Sequence, residues 1–277
     1  MLEEINKAVN FIKAKIPDCY AETGIVLGSG LGELSEEFNL LSEIPYSEIP
    51  GFLYHSDNEG AGGFIYGALG NKKVLIMQGR LHYYEGYSMK EITFPIRVMK
   101  ALGIKYLILS GAVGSINPSF EIGDIMIIKD HINNFPENPL RGENEEELGP
   151  RFPDMSEVYD KNMRLMARGI ASRNIIEIKE GVYVGCPGPN YETPAEYKMF
   201  LVLGGDVMGM STIPEAIVAR HMNVKVFGLS VITDMGIPNA PRQITNDVEK
   251  RIASFVKPKM AIIIRELINE LPVGEEE

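Results

Sequence analysis

The stretch from Val74 to Gly86, which reads VLIMQGRLHYYEG, constrains the fold of this chain most strongly. Its first five residues, apolar or neutral, predict a short buried strand, and Gly79 ends that strand in a loop. The ends of strands are where open α/β sheets build their ligand sites. The loop carries four polar or aromatic candidates within six positions, namely Arg80, His82, Tyr84 and Glu85.

Two interpretations fit this loop. An arginine offers a rigid fork of N–H donors that matches phosphate or carboxylate, and a neighbouring histidine adds a donor, so Arg80 and His82 are candidates for an anion site. The other interpretation is a surface loop in which Arg80 and Glu85 form a structural ion pair. Because the net charge is −11, any anion site must be a local positive pocket.

Length and charge narrow the class of protein. A chain of 277 residues forms one large domain or two small ones and buries a sizeable core. Its negative surface would repel a nucleic-acid backbone, so we expect no nucleic-acid partner. We also expect no signal peptide and no membrane span. Cys19 and Cys186 lack metal-ligand spacing and the four histidines are scattered, which favours a cytoplasmic protein without a metal.

A second glycine-rich loop follows another apolar run. Residues 24–32 read GIVLGSGLG, which predicts a strand running into a loop. The backbone amides of such a loop can approach a phosphate closely, and the hydroxyl of Ser29 adds a donor. The alternative is a tight turn, because the spacing lacks the third glycine of the dinucleotide-binding fingerprint.

Helix-capping patterns predict three helix starts. Ser88 and Glu91 form a capping box before a helix that runs to about residue 102. Thr193, followed by a proline and by a glutamate at the third position, predicts a second helix and leaves Glu192 on the loop before it.

The third start repeats this pattern at Thr212, with Pro214 and Glu215 in the first turn. Ser211 then lies at a helix N-terminus that follows a strand directly. Such a position is a ready anion site.

Periodicity predicts the remaining elements. Helices are expected at about 2–16, 157–172 and 246–271, and buried strands at 106–115, 124–132, 181–186 and 224–234. The long segment 133–154, rich in Pro, Asn and Glu, is expected to be a functional or interface loop. Without an internal repeat or a linker, the chain is predicted to be a single α/β domain, residues 1–277. Its β-sheet is expected to be mixed, largely parallel and flanked by helices.

A set of motifs in fixed order resembles the trimeric, low-molecular-mass purine nucleoside phosphorylases, a family that includes 5'-methylthioadenosine phosphorylases. The motifs are GSGLG, GRLHYYEG, GAVGSINP, NPLRG with RFPDMS, GPNYETPAE, GMSTIPEAIVARH and the strand into Ile232-Thr233. The resemblance implies the nucleoside phosphorylase fold, a homotrimer and a role in purine salvage. It also implies cleavage of a purine nucleoside by inorganic phosphate, which is a co-substrate, with no cofactor.

The resemblance assigns roles in phosphate binding and catalysis. Phosphate would lie on the face of the sugar opposite the base, so that catalysis is positioning plus electrostatics. Glu85 would orient the phosphate-side residues, and His82, Glu85 and Asp234 are the candidate catalytic residues. The phosphate-binding set is Ser29, Arg80, His82, the backbone at Ala112, and Ser211.

The nucleoside-binding set also follows from the resemblance. Glu192 would accept hydrogen bonds from N1 and N2 of a 6-oxopurine. Phe152 would reach into the ribose pocket of the neighbouring subunit. The other members are Tyr84 and Met210 against the ribose, Tyr191 against the base, and Thr233, Asp234 and Asn246.

Three positions depart from the family pattern. Gly60 stands where members usually carry a phosphate-side histidine, and His55 lies five residues away. Asn246 aligns with the histidine that often meets the ribose 5'-hydroxyl; it either contacts the sugar or forms a capping box with Glu249. Asp234 replaces the asparagine that donates to N7 of the base.

Asp234 leaves two substrate classes open. An ionised aspartate only accepts hydrogen bonds, so beside N7 it would repel the developing purine anion. Kept neutral by burial and by the negative Glu192, it would donate to N7 and favour inosine and guanosine. Kept ionised, it would accept from a 6-amino group and favour adenine nucleosides, including 5'-methylthioadenosine. We expect the first.

Two further classes of protein are disfavoured. A non-enzymatic nucleoside- or anion-binding protein would not need the full set of Ser29, Arg80, His82 and Ser211. A dinucleotide-dependent oxidoreductase is the least favoured class, because GSGLG is the wrong fingerprint.

Overall fold

The computed structural model describes residues 1–17, 19–28, 31, 35, 38–54, 62–236 and 246–272. Its helices are α1 (Leu2–Lys15), α2 (Met89–Ala101), α3 (Lys161–Arg173), α4 (Pro194–Val202), α5 (Ile213–His221) and α6 (Asn246–Glu270). Its strands are β1 (Thr23–Leu27), β2 (Asn39–Pro45), β3 (Gly63–Leu69), β4 (Lys72–Gln78), β5 (Tyr106–Ser115), β6 (Ile125–Asn133), β7 (Lys179–Gly185), β8 (Val207–Gly209) and β9 (Lys225–Met235).

The sheet has an open part and a closed part that share β5. In the open part, β4, β1 and β5 run parallel, and β3 and β2 extend the β4 edge as antiparallel strands. In the closed part, β5 pairs with β9, β9 with β6, β6 with β7, β7 with β8, and β8 returns to β5. Among the described strands, five of the nine pairings are parallel, so the predicted mixed α/β sheet is confirmed.

Helices cover both faces of the sheet. The side chains of β1 alternate, with Val26 packed in the cluster of α1, α2 and α5, and Ile25 and Leu27 packed in the cluster of α3 and α6. Because both faces of β1 are covered, its five residues are all buried, which is why this segment reads as an apolar run. The parallel strands therefore end together at one edge, and their loops meet there.

Most predicted elements are confirmed, and the structure differs from the expectations in three places. The helix predicted from 157 begins at Lys161, because the Asp160 side chain caps it by accepting from the backbone N–H of Met163 at 2.8 Å. The edge strands β2 and β3 were not predicted; the exposed residues of β2 give it little strand pattern. The third difference is in the first turn of α5, where a capping box was expected.

The first turn of α5 has no capping box. Thr212 adopts a left-handed backbone with φ 66° and makes no side-chain cap hydrogen bond, unlike Ser88 and Thr193, whose predicted boxes are present. Glu215 does not return to the N-cap; it is buried and pairs with an arginine 135 residues away. Tertiary contacts override the local pattern at this helix start.

Candidate active site

The candidate residues follow strands whose ends meet at one edge of the sheet. Arg80 follows β4, Ala112 lies in β5, Ser211 follows β8, and Asp234 lies at the end of β9. Glu192 lies between β7 and α4. This is the edge at which ligand sites of α/β sheets are built.

Arg80 is the buried centre of this edge. Its Nη1 donates to Glu215 Oε2 at 2.8 Å and to Thr212 Oγ1 at 3.3 Å. Its Nη2 donates to the carbonyls of Ser110 and, at 3.5 Å, Val26. The two charged side chains are 2% and 6% exposed. Arg80 therefore ties the end of β1 and the middle of β5 to the start of α5.

The Nε of Arg80 is buried and has no hydrogen-bond partner within the part of the chain that the structure describes. The predicted fork of terminal nitrogens thus faces protein acceptors, and Nε–H is the donor left for a ligand. A buried N–H without a partner is costly, so this position favours an incoming acceptor.

His82 and Glu85 hold one another across a single turn. Glu85 Oε2 accepts from the backbone N–H of His82 at 2.6 Å and lies 3.7 Å from His82 Nδ1. The backbone N–H of Glu85 in turn donates to His82 O at 3.2 Å. The His82 ring also stacks on Tyr84, with ring centroids 5.0 Å apart. The histidine ring is thereby held between Glu85 and Tyr84.

Ser211 meets β5 on the same side. The Ser211 N–H donates to the hydroxyl of the fully buried Tyr183 at 3.4 Å, and Ser211 Oγ lies 3.3 Å from Thr212 Oγ1. A Cβ atom added at Gly111 would lie 3.9 Å from Ser211 Oγ. The hydroxyl is therefore beside the backbone that leads to Ala112, and Thr212 links it to Arg80. Of the predicted phosphate-binding set, the structure thus brings Arg80 and Ser211 together beside the backbone that leads to Ala112.

Tyr84 and Met210 meet at Gly188, in the loop that follows β7. A Cβ atom added at Gly188 would lie 2.4 Å from Met210 Sδ and 3.1 Å from Tyr84 Cδ1, and Gly188 has φ 63°. Only glycine fits there. The loop that carries Glu192 is thereby joined to the two side chains predicted to pack a sugar.

A bulge in β9 aims Thr233 and Asp234 into the site. Val113 pairs with Ile232 and Gly114 with Asp234, so Thr233 is the extra residue. The Thr233 hydroxyl donates to Val113 O at 3.3 Å, and a Cβ atom at Gly114 would lie 2.6 Å from Asp234 Oδ2. The Asp234 carboxyl is buried against the β5 backbone.

Glu192 lies half-buried on the loop between β7 and α4. Burial raises the pKa of its carboxyl, while hydrogen bonds from the side chains of Cys186 and Tyr197 lower the same pKa. The Tyr197 ring lies 2.7 Å from where a Cβ atom at Gly236 would be, two residues beyond Asp234. Tyr197 thus lies against the backbone just beyond the end of β9, two residues after Asp234.

The remaining predicted residues are placed differently. Tyr191 is half-exposed, and Phe152 is 89% exposed beside the guanidinium of Arg151, 5.8 Å from its ring centroid. Ser29, His55 and Gly60 lie outside the described residues, as does the side chain of Asn246, which begins α6.

Sequence reasoning missed Glu215, Cys186 and Tyr197 as parts of the site. Glu215 in the first turn of α5 also fits the capping-box pattern. No local sequence feature distinguishes a capping glutamate from one that pairs with a distant arginine.

The described residues contain neither a metal-binding cluster nor a membrane-spanning helix. They contain no group of three or more His, Cys, Asp or Glu side chains arranged to hold a metal ion. None of the helices in those same residues combines the length and apolar character of a membrane span.

Comparison with known proteins gives the class of this site. Residues 22–269 match the phosphorylase superfamily model. The chain is 48% identical over 264 residues to purine nucleoside phosphorylase 1 of Geobacillus stearothermophilus, covering 94% of this chain and 96% of that one. It is 44% identical to purine nucleoside phosphorylase 1 of Bacillus subtilis (strain 168), covering 95% and 98% of the two chains.

Solved structures agree with these relatives. The Schistosoma mansoni purine nucleoside phosphorylase in complex with adenosine superposes with a TM-score of 0.92 at 38% identity, covering 98% of each chain. The same enzyme in complex with inosine gives 0.91 at 37% identity, again covering 98% of each. The chain belongs to the purine nucleoside phosphorylase family, so it is a pentosyltransferase, and the resemblance seen in its motifs is confirmed.

The Arg80–Glu215 pair generates a stability prediction. Replacing Glu215 by Ala leaves a buried guanidinium without its counter-charge, which costs about 3–5 kcal/mol of unfolding free energy. The control is Glu48→Ala: Glu48 pairs with Lys15 at 3.2 Å on the surface, and its loss costs less than about 1 kcal/mol. Urea denaturation at one fixed protein concentration measures the unfolding free energy of both variants. Equal losses in the two variants would contradict a stabilising role for the buried Arg80–Glu215 pair.

Proposed function

We propose that this enzyme uses inorganic phosphate to cleave the N-glycosidic bond of purine ribo- and deoxyribonucleosides, with inosine and guanosine as main substrates. The products are the free base and ribose or deoxyribose 1-phosphate. We place the enzyme in purine salvage in the cytoplasm, as a homotrimer. The observation that carries the proposal is the packing at Gly188. This glycine, on the loop that leads to the base-side Glu192, lies against Met210, which precedes Ser211, and against Tyr84, which is on the loop of Arg80.

The anion-side group suits a phosphate dianion. Arg80 Nε–H, the Ser211 hydroxyl, the His82 ring and the backbone near Ala112 offer donors and positive charge in a buried setting. As the C1'–N9 bond breaks, the ribose gains oxocarbenium character. A dianion held on the face opposite the base stabilises that charge and then captures C1' with inversion. The protein contributes position and electrostatics.

The base-side carboxylates support a 6-oxopurine. Ionised Glu192 accepts from N1–H and N2–H of guanine or from N1–H of hypoxanthine. The leaving purine carries negative charge unless a group donates to it, and in this proposal neutral Asp234 donates to N7. Thr233 anchors this strand end through Val113 O. Solved family structures with inosine, guanosine and hypoxanthine are consistent with this choice.

A second candidate has its own supporting observation. Asp234 is an acceptor when ionised, and one structural neighbour is a complex with adenosine. A broad-specificity enzyme for 6-aminopurine nucleosides, or a 5'-methylthioadenosine phosphorylase, would use Asp234 in that form. Glu192 disfavours it, because adenine presents a bare acceptor at N1.

The homotrimer has support from two exposed apolar features. Phe152 lies on the long loop before α3, and the end of α4 exposes Met199, Leu201, Val202 and Leu203. Apolar side chains clustered on a surface favour burial against a partner. A neighbouring subunit would place Phe152 against the ribose.

Phosphate dependence is the first test of the proposed function. Base release from inosine should require phosphate or arsenate, and Arg80→Ala should lose roughly 2–5 kcal/mol of transition-state binding. The double variant Arg80→Ala/Glu215→Gln also removes the buried carboxylate that the single variant leaves unpaired. Activity that both variants lose is therefore due to lost phosphate binding and not to the unpaired carboxylate. Arg168→Ala, on the surface of α3, should be active. Equal rates with and without phosphate would refute phosphorolysis.

Asp234 provides the test of substrate class. Asp234→Asn should suppress adenosine turnover and keep or improve inosine turnover at neutral pH, because asparagine donates to N7 without needing a proton. In the wild type, inosine turnover should fall as rising pH ionises Asp234. Steady-state kinetics on inosine, adenosine and 5'-methylthioadenosine measure this. A wild-type preference for either adenine nucleoside by about tenfold, about 1.4 kcal/mol, would show that Asp234 outweighs Glu192.

Phe152 tests the shared site. Phe152→Ala should raise the KM for nucleoside and leave the KM for phosphate nearly unchanged, because only the sugar would contact the ring. Phe255→Ala is the matched control, since Phe255 is a similarly exposed phenylalanine on α6. Light scattering at assay concentration gives the oligomeric state, and an active monomer would contradict the trimer.

A further inference from the structure

Tyr46 is a buried tyrosine that the proposed reaction does not use. It begins a short helical turn after β2 and is 6% exposed. Its hydroxyl donates to the carbonyl of Gly79, the residue before Arg80, at 3.1 Å. We propose that Tyr46 is a positioning residue: its hydroxyl fixes the backbone from which Arg80 starts and thereby aims Arg80 Nε–H at phosphate. The inference rests on the proposed function, in which Arg80 binds phosphate.

Gly79 depends on hydrogen bonds for its position. Its backbone lies in the left-handed region with φ 89°, and a Cβ atom built there would have no described residue beyond its chain neighbours within 4 Å. Side-chain packing therefore does not hold this residue, and glycine has the widest backbone freedom. Its N–H donates to Leu27 O at 3.2 Å, and its carbonyl accepts from Tyr46. These two bonds fix the peptide groups on both sides of Gly79.

The direction of Arg80 Nε–H depends on both ends of the side chain. At the tip, protein acceptors hold the two terminal nitrogens, with Glu215 Oε2 at 2.8 Å from Nη1. At the root, the backbone of Arg80 directly follows the Gly79 carbonyl. Nε lies between these ends, so a rotation of the Gly79 peptide turns Nε–H while the tip stays with its acceptors. The buried Nε, which has no partner among the described residues, is thus the donor whose direction depends on Tyr46.

Tyr46 is itself held rigidly. Its N–H donates to Gly62 O at 3.1 Å, and a Cβ atom at Gly62 would lie 2.5 Å from Tyr46 Cε2, so the ring lies where only glycine leaves room. The ring packs on Phe52, with centroids 5.6 Å apart, and Phe52 packs edge-to-face on Phe64 of β3 and Phe94 of α2. Buried aromatic pairs favour such defined arrangements. The hydroxyl is therefore held in one place by β3 and α2.

The Tyr46 hydroxyl keeps its proton and acts as a donor. Burial, the largest cause, raises the pKa of Tyr46 well above its usual range, while the positive Arg80 lowers that pKa and the negative Glu215 raises it. A carbonyl oxygen only accepts, so the bond to Gly79 needs the protonated hydroxyl. Phenylalanine has the same ring without this donor. Tyr46→Phe therefore removes the hydrogen bond and keeps the packing of the ring.

The experiment compares Tyr46→Phe with Tyr66→Phe. Tyr66, on β3, is equally buried, and its hydroxyl donates to another backbone carbonyl, Tyr20 O, at 3.2 Å. Tyr46→Phe should raise the KM for phosphate about three- to tenfold at saturating inosine, as expected for one lost hydrogen bond. The KM for inosine at saturating phosphate should stay within about twofold of wild type. Tyr66→Phe, which removes an equivalent bond outside the Arg80 loop, should change neither KM.

A second measurement does not depend on turnover. Inorganic phosphate that binds the folded protein raises its Tm, so the phosphate concentration needed for a given rise reports affinity. That concentration should increase about three- to tenfold in Tyr46→Phe and stay unchanged in Tyr66→Phe. In the Arg80→Ala background, Tyr46→Phe should add less than about twofold, because the group that it positions is absent.

Three results would overturn the inference. The first is a Tyr46→Phe variant with the wild-type KM for phosphate. The second is a loss that inosine or the Tyr66→Phe variant shares equally, which indicates general loosening, and the third is an undiminished effect in the Arg80→Ala background. A Tyr46→Phe protein that does not fold, by circular dichroism, also counts against it, because the hydroxyl then serves the fold.

Failure of the proposed function would look different. The wild type would then release base without phosphate, and phosphate would not raise its Tm. If the wild type needs phosphate and Tyr46→Phe matches it in both measurements, only the inference about Tyr46 fails.

Discussion

The site depends on one buried ion pair between Arg80 and Glu215. The pair takes two charges out of water, which is tolerated only because the geometry is close and the remaining donors find acceptors. Arg80 meets that condition through Val26 O at the end of β1 and Ser110 O in β5, and Thr212 completes the set. The end of β1, the middle of β5 and the start of α5 are therefore fixed relative to one another by protein contacts alone.

β5 connects the anion side of the site to the base side. Its first half belongs to the open sheet beside β1, and its last residues close the ring through β8 and β9. Ala112 and Gly114 lie two residues apart on it, so the backbone near the predicted phosphate position and the backbone that packs Asp234 belong to one rigid element. Such pre-organisation lets electrostatic catalysis act without rearrangement at the reacting centre.

The base side is held by weaker and more local contacts. Burial raises the pKa of the half-buried Glu192 carboxyl, and the side chains of Cys186, just after β7, and Tyr197, in α4, lower it. Both of these side chains are neutral. On the anion side, the ionised Glu215 carboxylate offsets the cost of burying the Arg80 guanidinium. The difference suits the two ligands, because a phosphate dianion needs a charged, fixed site and a neutral base needs directed hydrogen bonds.

The sequence alone determined the local structure and the family. Apolar runs predicted β1, β4, β5 and β9 because strands buried on both faces have few polar residues, and Ser88 and Thr193 predicted their capping boxes because all partners lie within three residues. The ordered motifs predicted the residues that would form the site. Only the tertiary structure decided what those residues contact. Glu215 pairs with Arg80 across 135 residues, at the expense of a capping box at Thr212. The ring of Tyr197 in α4 meets the backbone at Gly236, just beyond β9, only because the fold packs these two segments together. A residue pattern encodes contacts within a turn or a strand, but a buried charge takes the partner that the packed fold brings to it.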